Sequence, residues 1–174
     1  MAGYNFKNFF KDKKVHNSEY VSNAYFIIKR SLLTKKQNEF VDTFEPNEQL
    51  AKNIVNILLD TIKRESDMEL EQYIPESINI NFVPLSGKKY NIVINKNEIA
   101  IKEEYFNFFK SLKCKLYYDT NASKYAPLII YDKENNIVGL VCGVKVKPKD
   151  INNAIDYNNY IAEQKQKSRE KRAE

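Results

Sequence analysis

The chain has 174 residues, 43% hydrophobic and 29% charged, with a net charge of +5. That balance suits one folded domain, or two small halves sharing a core, rather than a disordered chain. Four glycines leave no Gly-rich phosphate loop, no apolar run approaches the ~18 residues of a membrane helix, and the start MAGYNFKNFFKDKKVHN lacks the apolar core of a secretory signal.

Cys114 and Cys142 stand in predicted strands and outside CxxC spacing, so they read as reduced, buried small hydrophobes. The expected compartment is the cytoplasm, of a bacterium or of a cell infected by a mobile element. Charge is uneven along the chain. Lys7, Lys11, Lys13, Lys14, Lys29, Arg30, Lys35 and Lys36 face only Asp12 and Glu19 in the first 36 residues. The balance then reverses, and Glu65, Asp67, Glu69, Glu71 and Glu76 form an acidic block. A basic end beside an acidic middle can steer a polyanion onto one face.

In chain order, residues 4 to 14 read as a short amphipathic helix whose Tyr4, Phe6, Phe9 and Phe10 dock on the body. Rings among lysines also suit stacking on single-stranded nucleic acid. Tyr20-Val21 and Tyr25 to Lys29 read as strands joined at Ser22-Asn23, where Asn tolerates left-handed backbone. The clearest helix runs from about Asn47 to Arg64, with Leu50, Ile54, Ile57, Leu58 and Ile62 at helical spacing and Pro46 at its entry. Ile78 to Val83 alternates as a strand, Ser86 to Lys89 is a turn, and Tyr90 to Ile94 and Ile99 to Ile101 are strands. Glu103 to Leu112 is a helix that buries Tyr105, Phe106, Phe109 and Leu112. Strands follow at Lys115 to Asp119, Ala126 to Asp132 and Ile137 to Lys147, the last stopped by Pro148. From Asn152 the chain is helical and solvated.

The fold class these elements predict is α+β: a single domain of two loosely repeated βαβββ halves, with antiparallel sheets packed against helices. Its parts are a basic aromatic segment (1–18), the α+β domain (19–150) and a helical tail (151–174).

Catalytic chemistry is sparse. The single histidine, His16, has no local nucleophile or orienting group and reads as a surface residue. Asp119, Asp132 and Glu134, with Lys133 beside them, lie near strand ends, where a metal-dependent hydrolase would gather carboxylates; acids in hairpin turns are more usually plain solvated turn residues, and that reading is preferred. GxxxxGK[ST], GxGxxG and HExxH are all missing. The expectation is a non-enzymatic protein without metal or cofactor.

Two stretches resemble the sliding clamp of bacterial DNA polymerase (the β subunit) and its phage-encoded relatives. Ala126-Pro127-Leu128-Ile129-Ile130, a turn, and Val138-Gly139-Leu140-Val141-Cys142-Gly143-Val144-Lys145-Val146 are similar to the closing "SPLLI" and "YLIMPVR" strands of that family. Tyr20 to Ile28 is similar to its "VATDGHRLA" strand–turn–strand, with Asn23-Ala24 where Asp-Gly stands. Cys142-Gly143 departs from the Met-Pro pair, and the chain is about the length of one clamp domain. The resemblance implies helices over DNA phosphates and outward sheets that pair edge to edge, with sequence-independent contacts. The exposed side of the 47–64 helix is mixed in charge (Glu48, Lys52, Asn56, Asp60, Lys63), which favours a clamp-like fold in another use over encirclement of DNA.

Two functions compete. The first is a phage or mobile-element protein that binds DNA or a replication complex through the eight basic residues named above. The second is an anti-defence, anti-CRISPR-like inhibitor whose acidic block occludes a host nucleoprotein effector. The strand from Ile137 to Lys147, if at an edge, would pair with another copy to give a homodimer.

Overall fold

Alternating and β-branched runs become strands, and the two strongest helical periodicities pack on opposite sides of them. The computed structural model describes residues 3–75, 80–82, 90–146 and 148–173. Its strands are β1 (Val15–His16), β2 (Tyr20–Ser22), β3 (Phe26–Lys29), β4 (Leu70–Gln72), β5 (Ile80–Phe82), β6 (Tyr90–Ile94), β7 (Ala100–Lys102), β8 (Lys115–Asp119), β9 (Leu128–Tyr131) and β10 (Ile137–Val141). The α-helices are α1 (Lys35–Val41), α2 (Glu48–Arg64), α3 (Glu103–Ser111) and α4 (Pro148–Ala173), and a 3-10 turn spans Phe6–Phe10. The fold is mixed α+β, as predicted. The turn at 86–89, Ile78, Asn79, Val83 and Glu76 lie outside the described residues.

The larger sheet is antiparallel throughout, in the order β1-β2-β3-β10-β9-β8-β4; β5, β6 and β7 form a smaller one. Both faces of the large sheet are covered. On one, α2 sets Leu58 against Ile27, Ile129, Tyr131 and Leu140. On the other, Phe26, Ile28, Leu128, Ile130 and Val141 meet the rings of the Phe6–Phe10 turn and of α3. Burial on both faces accounts for the unbroken apolar run of β9, whose four residues are all buried. The small sheet joins this core through buried Tyr73, whose hydroxyl donates to the carbonyls of Val93 and Ile99 (3.1 and 2.8 Å).

Strand β10 corrects one expectation. It ends at Val141 instead of Lys147, and it lies between β3 and β9, in the interior of the sheet. The edges are β1 and β4, two and three residues long, so the strand proposed to pair two copies is not available. Pro148 does not merely stop a strand: it opens α4, where its missing N–H costs nothing. Cys114 precedes β8 and is half-buried, while Cys142 follows β10 and is exposed. The order β7-α3-β8-β9-β10 is strand–helix–three strands. In the first half, by contrast, the strands after the helices divide between the two sheets. Among the described residues no helix is long and apolar enough to cross a membrane.

Helix α2 begins where the sequence places it, with the Asn47 side chain accepting from the Leu50 amide at 3.1 Å. Its buried stripe is narrower than the spacing predicts: Ala51, Leu58 and Thr61 are buried, but Ile57 is 58% exposed. Helix α3 buries Tyr105, Phe108 and Phe109, with Phe106 only half-buried. It ends in a Schellman closure, the Cys114 and Lys113 amides donating to Phe109 and Lys110 (both 3.0 Å), with Lys113 left-handed at φ 62°.

The β2–β3 turn works differently from its sequence reading. The left-handed residue is Ala24, at φ 75°, and Asn23 is a buried tether. Its Oδ1 accepts from the Tyr25 and Phe26 amides, and its Nδ2 donates to the Phe9 carbonyl and the Tyr105 hydroxyl, all within 3.0 Å. An alanine at that φ is strained, whereas glycine adopts it freely at a smaller cost in unfolded-chain entropy. Ala24→Gly is therefore expected to stabilise the domain by about 0.5–1 kcal/mol. A urea midpoint that stays put or falls would contradict this.

Candidate nucleic-acid interface

The N-terminal segment is part of the core. Phe10 has no exposed surface and lies 5.0 Å from Phe6 and 5.2 Å from Phe44, centroid to centroid; Phe9 stands edge-on to Phe26 and Tyr105. These rings are therefore occupied by one another and not free to stack on bases. Their packing fixes the backbone that carries the lysines. Lys7, Lys11, Lys13 and Lys14 are exposed around the 3-10 turn, and Lys35 and Lys36 are exposed in the first turn of α1. Helix α1 is anchored by a capping box: the Gln37 amide donates to Thr34 Oγ1 (3.2 Å) and the Thr34 amide to Gln37 Oε1 (2.9 Å).

Two lysines of the N-terminal group lie over rings of the α1 region. Lys7 Nζ lies 5.5 Å from the Phe40 ring and Lys14 Nζ 5.8 Å from Phe44, and those rings are 5.2 Å apart. Lys36 is one helical turn before Phe40 and on the same side of α1. None of the six lysines forms an ion pair with a described residue.

The other two basic residues sit elsewhere. Lys29 ends β3 and is half-buried. Arg30 is an internal clamp with a side chain only 12% exposed. It donates to Asn38 Oδ1 (3.0 Å), the Asn17 carbonyl (2.9 Å), the Asn38 carbonyl (3.3 Å) and Asp42 (2.6 Å). Its guanidinium has little left for a phosphate.

Beside this clamp, His16 is half-buried rather than on the surface. Its ring stands edge-on to Phe44, and its Nδ1 is buried without a partner among the described residues. Burial holds its pKa below the ordinary 6.5; Arg30 adds to the shift and Asp42 opposes it. Because the folded value is depressed, the unfolded chain binds the proton more readily. Stability is full above about pH 6.5 and declines as pH falls toward the lowered folded value. His16→Gln is expected to flatten that acid-side decline in urea midpoints taken between about pH 7.5 and 5. Parallel profiles for the two proteins would contradict it.

The acidic block is partly engaged inside the protein. Glu65 accepts from the Tyr131 hydroxyl (2.7 Å), and Glu71 pairs with Lys96 (2.5 Å), which holds its carboxyl below the usual range. Asp67 and Glu69 are exposed. Glu69 also accepts weakly from the Thr120 hydroxyl (3.4 Å), so of the four described members only Asp67 has a carboxylate with no partner among the described residues.

The hydrolase set does not converge. Asp119 ends β8, whereas Asp132 follows Tyr131, which pairs with Lys115 at the opposite end of that strand. Five strand positions separate the two, roughly 17 Å. Each aspartate is used in its own turn: Asp119 accepts from the Asn121 amide, and Asp132 from the amides of Glu134 and Asn136. The Cys114 thiol nearby is pushed up to about 11 by burial and by Asp132, which leaves it protonated and poorly nucleophilic. Among the described residues no three His, Cys, Asp or Glu side chains are grouped to hold a metal ion.

Neither protein-family models nor curated proteins nor solved structures give a match to this chain.

Proposed function

We propose that this chain is a non-enzymatic binding protein that holds DNA phosphates on the surface formed by Lys7, Lys11, Lys13, Lys14, Lys35 and Lys36. The observation that carries the reading is six exposed lysines on the N-terminal turn and α1, none ion-paired to a described residue, with Lys7 and Lys14 set over the rings of Phe40 and Phe44. Fixed ammonium groups attract a polyanion through its phosphates, independent of base sequence.

A clamp-like fold is the second part of the reading. The strand–helix–three-strand order from β7 to β10 supports it. So does the left-handed Ala24, which stands where the clamp family has the glycine of its Asp-Gly turn. Helices α2 and α3 lie on opposite faces of the large sheet, so they do not share one DNA-facing surface. The lysine surface is accordingly the contact, in place of a helix-lined ring. An accessory role beside the replication complex of a phage or mobile element fits such a protein.

Anisotropy with a labelled duplex of about 25 base pairs, at about 100 mM salt, tests the reading. Reversing Lys7, Lys14 and Lys36 to Glu is expected to weaken binding about a hundredfold or more, while Asp67→Asn and Glu69→Gln leave it unchanged or tighter. Equal affinity of the charge-reversed protein would rule the surface out.

A further inference from the structure

We infer that the groove between α2 and the β8–β9 loop is a binding site for a small amphiphilic carboxylate. The groove encloses about 430 Å³, within the range of small-ligand sites. Its lining includes Ile129 and Leu140 of the sheet, Ile57 of α2, Met68, and Pro127 of the loop. Ile57 leaves 58% of its surface in water there, more than Leu59 (42%) or Ile62 (37%), the other exposed large apolar residues of α2. An apolar body lying along the groove would cover it.

The walls are pre-formed. Thr120 is tied to the Glu69 carbonyl through its amide (2.8 Å) and hydroxyl (3.2 Å), fixing the loop to the start of β4. Asn97 donates to the Tyr118 hydroxyl (2.8 Å), and Lys124 pairs with Glu98 at 3.6 Å, fixing it to the β6–β7 turn. A ligand would therefore meet little ordering cost.

Charge selects the head group. Arg64 lines the groove, and its side chain makes no hydrogen bond or ion pair with a described residue, so its planar donors are free for a carboxylate. Lys124 is already matched by Glu98, and Asp119 lies on the same rim. A dianion such as a phosphate monoester would face those two acids, which favours a monoanion. This site is on the α2 face of the sheet, away from the lysine surface, and is independent of DNA binding.

Amide NMR of the full chain titrated with sodium octanoate, up to about 10 mM, tests the site. Saturable shifts are expected at Asn97, Thr61, Thr120 and Ser123, with octylammonium and octyl phosphate binding at least about tenfold more weakly. Arg64→Gln and Ile57→Asp both alter exposed positions, and each should weaken octanoate about tenfold. Leu59→Asp, on the same helix but outside the groove, should not. The site is overturned if shifts do not saturate or fall elsewhere, if octylammonium binds as well as octanoate, or if Arg64→Gln has no effect.

Discussion

Gly139→Ala should destabilise the domain by about 3 kcal/mol or more, although it adds a single methyl group. Gly139 lies mid-sheet in β10, opposite Ile28 of β3 and Ile130 of β9. A Cβ there would collide with the Ile27 carbonyl oxygen, and would come within 3.1 Å of that carbonyl carbon and 3.2 Å of Ile130 Cδ1. The obstacle is backbone in the next strand, so no side-chain rotation relieves it. Either β3 and β10 separate or their hydrogen bonds distort, and both cores next to that seam loosen. Against a typical total of 5–15 kcal/mol, such a loss is a large fraction of the domain's stability. Urea unfolding measures it directly: a midpoint within error of wild type would mean that the β3–β10 register differs from the one described.

Phe10→Ala is expected to cost about 3–5 kcal/mol, the range for emptying a fully buried phenylalanine site. The ring touches Phe6, Phe26, Phe40 and Phe44, drawn from the N-terminal turn, the sheet and the α1 region. Collapse around the cavity is limited because each neighbour is itself a rigid ring. The substitution also separates two roles for the N-terminal aromatics. If they were free to stack on bases, the loss of Phe10 would reduce nucleic-acid binding and leave the unfolding midpoint near wild type. A buried Phe10 gives the opposite order of effects, with stability lost first.

Much of the fold was legible because the signals were local. Strands Tyr90–Ile94 and Lys115–Asp119 match their sequence-predicted bounds, and α2 starts at Glu48 behind the Pro46-Asn47 entry. What escaped depends on distant partners. A three-residue strand such as Leu70–Gln72 carries no measurable periodicity, and it exists because Leu70 pairs with Asp119 across the sheet. The interior position of β10 likewise follows from β3, more than a hundred residues earlier, choosing it as a neighbour. Helix α1 could have been found from Thr34 and Gln37 alone, spaced as a capping box.

The same division holds for the candidate site. That the lysines would be exposed follows from their chemistry, but Arg30 could not be told from them in one dimension. Asn17, Asn38 and Asp42 reach it only after β3 and α1 fold back together. The separation of Asp119 from Asp132 was readable in principle, since an antiparallel β8–β9 pair must place its first and last residues at opposite ends.

The salt dependence of DNA affinity bears most directly on the proposed function. If all six lysines sit on phosphates, the logarithm of the association constant should fall with the logarithm of salt concentration at a slope of about −5. Each lysine replaced by alanine should make that slope shallower by about 1. A slope near zero, or one that the six substitutions leave unchanged, would contradict phosphate binding by this surface.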